Sequence, residues 1–267
     1  MPGFADKQHS APASDIGEPP IIQVSKVTKQ FGSLVAVSET SFDIRRGGIV
    51  GLVGSDGAGK TTLLRMIATM TAPSSGEILI DGFDVVRQRN AVKKRIGYMP
   101  QRFGLYQDLT VAENLNFFMD IFGIHGRERV KRRERYLGFS NLLPFLNRRA
   151  GDLSGGMKQK LGLACVLIHQ PGILILDEPT NGVDPLSRQE FWEILSEMRG
   201  QNMTILVATA YLDEGEKCDR LLLLHASRLL EEATPAELKS GFGDMEEAII
   251  HRILQADASL REDNFVV

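Results

Sequence analysis

The sequence predicts an α/β fold with a mainly parallel central sheet, an N-terminal antiparallel β subdomain and an inserted helical subdomain. Three observations predict this fold. Short apolar runs of strand length alternate with helical patterns along much of the chain. One of these runs leads through a glycine-rich turn into a helix. Residues 102–170, in contrast, contain helical patterns and no convincing strand.

The two ends of the chain differ in composition from its body. Residues 1–20 are rich in Ala, Pro, Ser and Gly and show no periodicity, which is typical of a disordered segment. Hydrophobic patterning begins at Ile21, and we predict one domain over residues 21–253 that includes a helical subdomain at about 102–170. Residues 254–267 are polar and are predicted to form a flexible tail.

The predicted strands and helices follow from hydrophobic periodicity. Apolar residues between 24 and 44 alternate as in short antiparallel strands, and residues 76–82 form a further strand with an Asp-Gly turn. Buried parallel strands are expected for the continuous apolar runs at 49–53, 96–99, 173–176, 204–208 and 221–224. Helices are expected at 60–70, 111–124, 126–138, 155–169 and 186–199.

The overall composition is that of a globular protein, with 267 residues, 43% hydrophobic and 24% charged side chains. A net charge of −3 gives no indication of nucleic acid as a partner. No apolar run approaches the ~18–20 residues of a membrane-spanning helix, and the N-terminus lacks a signal pattern. We therefore predict a cytoplasmic chain with two reduced thiols, Cys165 and Cys218, which match no metal-binding spacing.

A glycine-rich segment lies between the predicted strand at 49–53 and the helix at 60–70. Its pattern is that of a P-loop, and the strand before it and the helix after it are the context that this motif requires. Glycines let backbone N–H groups turn toward phosphate oxygens. We expect Lys60 to reach the β- and γ-phosphates of ATP and the Thr61 hydroxyl to bind Mg²⁺. The candidate ATP-binding residues are Gly54, Ser55, Asp56, Gly57, Ala58, Gly59, Lys60, Thr61 and Thr62.

Two carboxylates follow the apolar run at 173–176. Ligands of open α/β sheets bind outside the carboxyl ends of the strands, where these side chains emerge. Asp177 is predicted to hold Mg²⁺, and Glu178 to polarise the attacking water as the general base. An apolar strand that ends in Asp-Glu is weak evidence alone but strong evidence after a P-loop.

A second phosphate-binding segment is predicted at Ser154, Gly155 and Gly156. A Ser-Gly-Gly sequence can cap a helix and expose backbone N–H groups to an anion. A simple helix cap is the default interpretation of these three residues. The full string Leu-Ser-Gly-Gly-Met-Lys-Gln, together with the other motifs in their order, argues against that interpretation.

The three motifs, at 54–61, 153–157 and 173–178, resemble Walker A, the signature and Walker B of the nucleotide-binding subunits of ABC transporters. The resemblance covers residues from about 21 to 253. It implies an ABC ATPase core of the P-loop NTPase fold. Strings such as Gly-Tyr-Met-Pro-Gln and Phe-Gly-Leu-Tyr resemble the ABC-2 type exporter branch, which implies export.

Further residues take roles from this resemblance. Phe31, in Gln-Phe-Gly, occupies the position of the aromatic side chain that stacks on adenine. Gln101, in Tyr-Met-Pro-Gln, resembles the glutamine that contacts Mg²⁺ and the attacking water and couples to a membrane subunit. Asp184, in Asn-Gly-Val-Asp, resembles the D-loop residue that reaches a partner subunit.

The resemblance also implies partners. Two nucleotide-binding subunits, identical or different, pack head to tail, with each ATP between one P-loop and the other chain's 154–156 segment. Integral membrane permease subunits receive the conformational change, so the chain is expected on the cytoplasmic face of the inner membrane without spanning it. The transported substrate is chosen in those permease subunits.

One position departs from the family pattern. Ala210 stands where a histidine that contacts the γ-phosphate is expected, and the histidines at 9, 125, 169, 225 and 251 are all distant in sequence. Three hypotheses follow: Glu178 sustains slower hydrolysis, Thr209 or Tyr211 substitutes for the histidine, or the site binds ATP with little turnover and serves a catalytic partner. Ser55-Asp56, where the family often has Pro-Asn, is a smaller departure.

Three functions remain open from these residues. The leading one is the ATPase subunit of an exporter. The second is a non-transport ABC ATPase that acts on ribosomes, and the third is a slow or regulatory ATP-binding cassette. Ser154 lies 94 positions after Lys60, and the segment between them contains no heptads, which argues against the coiled-coil ATPases of chromosomes and DNA repair.

Overall fold

The computed structural model describes residues 19–257. The predicted disordered segment at 1–20 therefore lies outside the described residues except for 19 and 20. Most of the predicted tail, residues 258–267, also lies outside them. The domain predicted at 21–253 falls entirely within the described range.

The strands form two sheets. The strands are β1 Ile22–Phe31, β2 Leu34–Ile44, β3 Gly48–Gly54, β4 Ser75–Ile80, β5 Phe83–Asp84, β6 Ile96–Met99, β7 Ile173–Asp177, β8 Thr204–Ala208, β9 Arg220–His225 and β10 Arg228–Ala233. The first sheet has the order β2-β1-β4-β5 and is antiparallel throughout. The second has the order β10-β9-β3-β8-β7-β6, in which only the β10–β9 pair is antiparallel. These sheets confirm the predicted central sheet and N-terminal antiparallel region.

The helices lie between the strands of the parallel sheet and after β10. They are α1 Lys60–Ile67, α2 Arg89–Lys93, α3 Val111–Ile121, α4 Gly126–Phe139, α5 Gly155–Leu167, α6 Pro185–Gly200, α7 Leu212–Gly215, α8 Pro235–Lys239 and α9 Met245–Ala256. Capping explains several boundaries. Thr110 and Glu113 form a capping box at the start of α3, and Ser154 and Asp184 cap α5 and α6.

Alternate residues of the central strands face two separate hydrophobic clusters, as the period of two along a strand requires. On one face, Leu174 and Val207 belong to a cluster that also contains side chains of α3, α4, α5 and α6. On the other face, Ile175 and Leu206 pack in a cluster with α1 and the antiparallel sheet. All five residues of β7 and of β8 are buried, which accounts for their continuous apolar sequence.

The helical region packs on the central sheet through the first of these clusters. Leu115 of α3, Leu137 of α4 and Leu161 of α5 are fully buried in it together with strand residues. Within residues 102–170 the helices are α3, α4, α5 and two short 3₁₀ segments, Leu143–Phe145 and Ala150–Asp152. The region is therefore helical as predicted, and it shares its hydrophobic core with the sheet.

Several helix boundaries differ from the sequence prediction. α1 ends at Ile67 and not at 70, and α5 ends at Leu167 and not at 169. α3 ends at Ile121 and not at 124, because Gly123 has a φ of 65° and so cannot continue a right-handed helix. α9 extends to Ala256, so residues 254–256 of the predicted tail are helical in the structure. Among the helices of residues 19–257, none combines the length and apolar character needed to cross a bilayer.

Candidate nucleotide-binding site

The P-loop connects the end of β3 to the start of α1. Gly54 has a φ of 142°, and a Cβ at this position would lie 1.8 Å from the carbonyl oxygen of Leu224. Gly59 has a φ of 99°, and a Cβ there would lie 2.4 Å from the carbonyl oxygen of Ala36. Both glycines are therefore required by close backbone approach as well as by positive φ.

Lys60 is the first residue of α1, and its side chain is buried. Its ammonium donates hydrogen bonds to the carbonyl oxygens of Gly54 at 2.8 Å and Ser55 at 3.0 Å. The charged end of Lys60 therefore lies against the backbone of the first half of the P-loop. This is the placement that a phosphate-binding lysine needs.

A cleft of about 260 Å³ opens above the P-loop. It is lined by residues 56–62 and by Glu178, so the structure brings the loop and the predicted general base together. Four further lining residues were missed by the sequence prediction: Leu34, Val35, Ala36 and Ser227. Leu34 is 65% exposed at the start of β2, and this exposure of an apolar side chain is visible only in the structure.

Pocket size alone does not identify the site. A groove of about 630 Å³ lies between α6 and α7 and is lined by Arg188, Trp192 and Lys217, among others. It contains none of the predicted site residues. The smaller cleft is the candidate because the predicted phosphate-binding loop and the predicted general base, Glu178, both line it.

Phe31 ends β1 and pairs in register with Leu34, one of the residues of the cleft wall. Its ring is half exposed, and the ammonium of Lys29 lies 4.8 Å from the ring centroid. The predicted adenine-stacking side chain is therefore next to the cleft in the sheet, although it does not line the cleft itself.

Asp177 is the last residue of β7 and is fully buried. The Thr61 hydroxyl donates to its Oδ1 at 2.8 Å, and the Tyr98 hydroxyl donates to its Oδ2 at 3.4 Å. Burial raises the pKa of Asp177, while the hydrogen bond from Thr61 acts in the opposite direction. Two of the three predicted magnesium ligands, Thr61 and Asp177, are thus adjacent.

Glu178 follows directly and has the unusual φ of 49° for a non-glycine residue. Its backbone N–H donates to the carbonyl oxygen of Ala208 at 2.9 Å. Its Oε2 accepts from Gln101 Nε2 at 2.8 Å and from Asn181 Nδ2 at 3.1 Å. Gln101 therefore contacts the predicted base, whereas its predicted contact with Mg²⁺ stays a prediction. Strained backbone of this kind is often found at functional sites.

The Ser154-Gly155-Gly156 segment does not line the P-loop cleft of its own chain. Ser154 caps α5 by accepting from Met157 N at 3.3 Å. Asp184 caps α6 by accepting from Ser187 N at 3.0 Å, and this bond lowers the pKa of Asp184. Both residues therefore stabilise helix N-termini within the chain, and their predicted roles toward a partner remain predictions.

Ala210 lies exposed just after β8. The neighbouring Thr209 is buried, and its hydroxyl donates to Glu214 Oε2 at 2.5 Å. The ring of Tyr211 packs against Arg188, whose guanidinium carbon lies 3.8 Å from the ring centroid. These contacts engage both side chains that were candidates to replace the missing histidine, and they disfavour that hypothesis.

One histidine that is distant from Ala210 in sequence lies against the P-loop in the fold. His225 ends β9, and its Nδ1 is 2.9 Å from the Ser55 hydroxyl oxygen. No sequence signal indicated this contact, since the two residues are 170 positions apart.

A family model described as "ABC transporter" matches residues 37–181, more than half of the chain. The chain belongs to the ABC transporter family. The matched part of this ABC protein includes the P-loop, the segment at 154–156 and the acidic pair Asp177 and Glu178. The predicted α/β P-loop fold is confirmed as well.

Two curated relatives of this ABC chain carry the description "ATP-binding protein". The chain is 47% identical over 220 residues to "Probable multidrug ABC transporter ATP-binding protein YbhF" of Escherichia coli strain K12, which covers 82% of this chain and 38% of YbhF. It is 40% identical over 218 residues to "Nod factor export ATP-binding protein I" of Rhizobium etli, which covers 81% of this chain and 69% of that protein. The chain thus spans less than half of the length of YbhF.

Solved ABC cassettes share the fold. One of them is described as "Dimeric structure of a post-hydrolysis state of the ATP-binding cassette MJ0796 bound to ADP and Pi". Its TM-score to this chain is 0.72 at 26% sequence identity, and the match covers 80% of this chain and 98% of that chain.

Proposed function

We propose that this chain binds ATP with Mg²⁺ in the P-loop cleft and hydrolyses it. One observation carries the proposal: a single cleft combines the glycine-shaped loop, the buried Lys60 and Glu178, with the hydrogen-bonded pair Thr61 and Asp177 beside it. Phosphoryl transfer needs groups of these three kinds: hydrogen-bond donors to the phosphates, ligands for the cation and a base for the attacking water.

The donor chemistry at Thr61 and Asp177 fits Mg²⁺. A hydroxyl and a carboxylate oxygen are hard ligands, and Mg²⁺ in nucleotide sites takes few protein ligands because phosphates and waters complete its shell. Over residues 19–257 no group of three or more His, Cys, Asp or Glu side chains could hold a metal ion by itself. Thr61 and Asp177 would hold the ion, which would supply positive charge to neutralise the phosphates of ATP.

Glu178 is proposed to accept a proton from the attacking water. The water oxygen forms a bond to the γ-phosphorus, the bond to the β–γ bridging oxygen breaks, and ADP and phosphate leave. Gln101 supports this role, since its amide donates to Glu178 at 2.8 Å and so orients the carboxylate. Lys60 and the loop N–H groups hold the phosphates during the step.

A second cassette, identical or different, is proposed to complete each site. Ser154, Gly155, Gly156 and Asp184 lie outside the P-loop cleft of their own chain and so remain to be contributed to a partner. The similar cassette MJ0796 has been solved as a dimer bound to ADP and phosphate. Phe31, at the cleft border, is proposed to stack on adenine.

We propose that hydrolysis powers transport, in the direction of export, through partner membrane permease subunits. Support comes from the relatives described as multidrug transporter and Nod factor export proteins. The chain would then attach to the cytoplasmic face of the inner membrane, with Gln101 coupling the cleft to a permease subunit. Substrate choice would rest with the permease subunits.

The test is steady-state ATP hydrolysis by the purified chain with and without Mg²⁺. Glu178→Gln is expected to lower kcat by about 100-fold or more while ATP still binds, because general-base catalysis contributes factors of this size. Lys60→Ala is expected to lose ATP binding. The exposed Glu193→Gln on α6 is the matched control. Equal rates for the wild-type chain and Glu178→Gln would refute the assignment.

A second candidate is a slow or regulatory cassette, and the exposed Ala210 favours it. Ala210→His restores a donor at the position of the expected histidine. If the missing donor limits turnover, kcat should rise about tenfold or more, the gain expected for one hydrogen bond to a charged group. An unchanged kcat in Ala210→His would show that Glu178 alone sets the rate.

The proposed role in transport has a separate test, which is a pull-down of the chain from a detergent extract. Recovery of ribosomes without any membrane subunit would overturn that proposal.

A further inference from the structure

His225, the last residue of β9 before the turn into β10, contacts the P-loop. The imidazole Nδ1 lies 2.9 Å from the Ser55 hydroxyl oxygen, and Nε2 lies 3.4 Å from Oδ2 of Asp257 at the end of α9. The His225 side chain is only 13% exposed. A mostly buried ring thus bridges the P-loop and the C-terminal helix.

The contact reaches the phosphate-binding lysine in one further step. Ser55, whose side chain contacts His225, accepts through its backbone carbonyl from Lys60 Nζ at 3.0 Å. Next to it, Gly54 is packed so closely on Leu224 that a Cβ at 54 would lie 1.8 Å from the Leu224 carbonyl oxygen. The first half of the P-loop therefore packs against the C-terminal end of β9.

The turn itself is held in place on its other side. Ala226 and Ser227 have φ values of 44° and 67°, which non-glycine residues adopt only where surrounding contacts maintain them. The Ser227 hydroxyl donates to the carbonyl oxygen of Val35 at 2.9 Å, and Ser38 N donates to the Ser227 carbonyl at 2.7 Å. The position of His225 is thus determined by β2 as well as by β9.

The two partners of His225 also determine which ring nitrogen is protonated. In the neutral imidazole, Nε2 carries the proton and donates to Asp257, because a carboxylate only accepts. Nδ1 is then the acceptor, and the Ser55 hydroxyl donates to it. The carboxylate orients the ring, and the ring orients the P-loop serine.

We propose that His225 is a positioning residue for the P-loop that sets the affinity for ATP. We also propose that Asp257 makes this affinity depend on the position of the C-terminal end of α9. The inference rests on the proposed ATP binding. His225 acts through Ser55, and Asp257 acts through His225.

The experiment measures the Kd of ATP with Mg²⁺ by titration calorimetry on the purified full chain. His225→Ala and Ser55→Ala are each expected to raise Kd about fivefold, the factor for one net hydrogen bond of about 1 kcal/mol. The double variant is expected to show no more than either single one, because both remove the same bond. His225→Asn, whose Oδ1 can occupy the place of Nδ1, is expected to recover most of the affinity.

Asp257→Asn tests the second half of the proposal. It is expected to raise Kd about twofold in the wild-type background and to have no effect in His225→Asn, which lacks the Nε2 donor. An effect of Asp257→Asn that persists in His225→Asn, or no effect in either background, would remove Asp257 from the proposal.

His251→Ala is the matched control, since His251 is an exposed histidine on α9. It should leave Kd unchanged. Additive effects of Ser55→Ala and His225→Ala, or a wild-type Kd in His225→Ala, would overturn the role of His225. A loss of thermal stability without a change in Kd would show a purely structural role and would also overturn it. Failure of the wild-type chain to bind ATP would instead refute the proposed function.

Discussion

Gly156 of the Ser-Gly-Gly segment lies directly against Ser187 of α6. A Cβ at position 156 would lie 2.3 Å from both Cβ and Oγ of Ser187, which is closer than side-chain atoms can approach. Gly155, one residue earlier, has no comparable neighbour, since its nearest atom is the Gly182 carbonyl oxygen at 4.0 Å. Packing against α6 therefore requires glycine at position 156 but leaves room for a side chain at position 155.

The first prediction compares alanine at these two positions. Gly156→Ala is expected to lower the free energy of unfolding by about 1–3 kcal/mol, because the added methyl forces α5 away from α6. Gly155→Ala should be neutral or slightly stabilising, as for glycine replaced within a helix. Urea denaturation gives both values. Ser187→Gly should recover part of the loss in Gly156→Ala, and equal destabilisation by the two alanines would contradict the steric explanation.

The second prediction concerns the buried carboxylate of Glu214. It accepts from Thr180 Oγ1 at 2.7 Å, Thr209 Oγ1 at 2.5 Å and Arg188 Nε at 3.1 Å. Glu214→Ala is expected to cost about 3 kcal/mol of stability, because the two buried threonine hydroxyls and the partly buried Arg188 guanidinium lose their acceptor. Asp213→Ala removes the exposed partner of the same arginine and should cost less than about 1 kcal/mol. Similar denaturation midpoints for the two variants would show that the hydrogen bonds to Glu214 do not contribute to stability.

The third prediction concerns Asp177. Burial raises its pKa, so the folded chain binds this proton more strongly than the unfolded chain does, and ionisation disfavours folding as pH rises above the ordinary aspartate value near 4. Asp177→Asn should therefore raise the Tm of the nucleotide-free chain at pH 7, by an amount that shrinks as the pH is lowered. It should also abolish magnesium-dependent ATP binding.

Differential scanning calorimetry over a pH series checks the stability of Asp177→Asn, with the exposed Asp43→Asn as the control. The control should show a smaller change in Tm. A lower Tm for Asp177→Asn at pH 7 would mean that the hydrogen bond from Thr61 outweighs burial of the charge.

The fourth prediction concerns the two cysteines. The sequence predicted two reduced thiols, and in the structure both are free and buried. Burial raises the pKa of the Cys218 thiol to about 12 and raises that of Cys165 as well. A thiol-specific reagent such as Ellman's reagent at pH 8 should label neither cysteine in the native chain. Both should react in 6 M guanidinium chloride, and rapid labelling of one thiol under native conditions would contradict their burial.

The sequence by itself determined those parts of the candidate site whose residues are adjacent in the chain. The P-loop and the pair Asp177 and Glu178 each join a strand to the segment that follows it, so pattern and turn chemistry were sufficient to predict them. The parallel sheet was predictable for the same reason, because continuous apolar runs such as 173–176 are typical of strands buried on both faces.

Contacts between distant segments were decided only by the tertiary structure. Strands β3 and β9 are neighbours in the sheet, and their register sets Gly54 opposite Leu224, which brings His225 to Ser55 across 170 positions of sequence. The same holds for Gln101 against Glu178, where β6 and β7 pair side by side. Strand order and register depend on how two hydrophobic faces pack at once, and no local pattern carries that information.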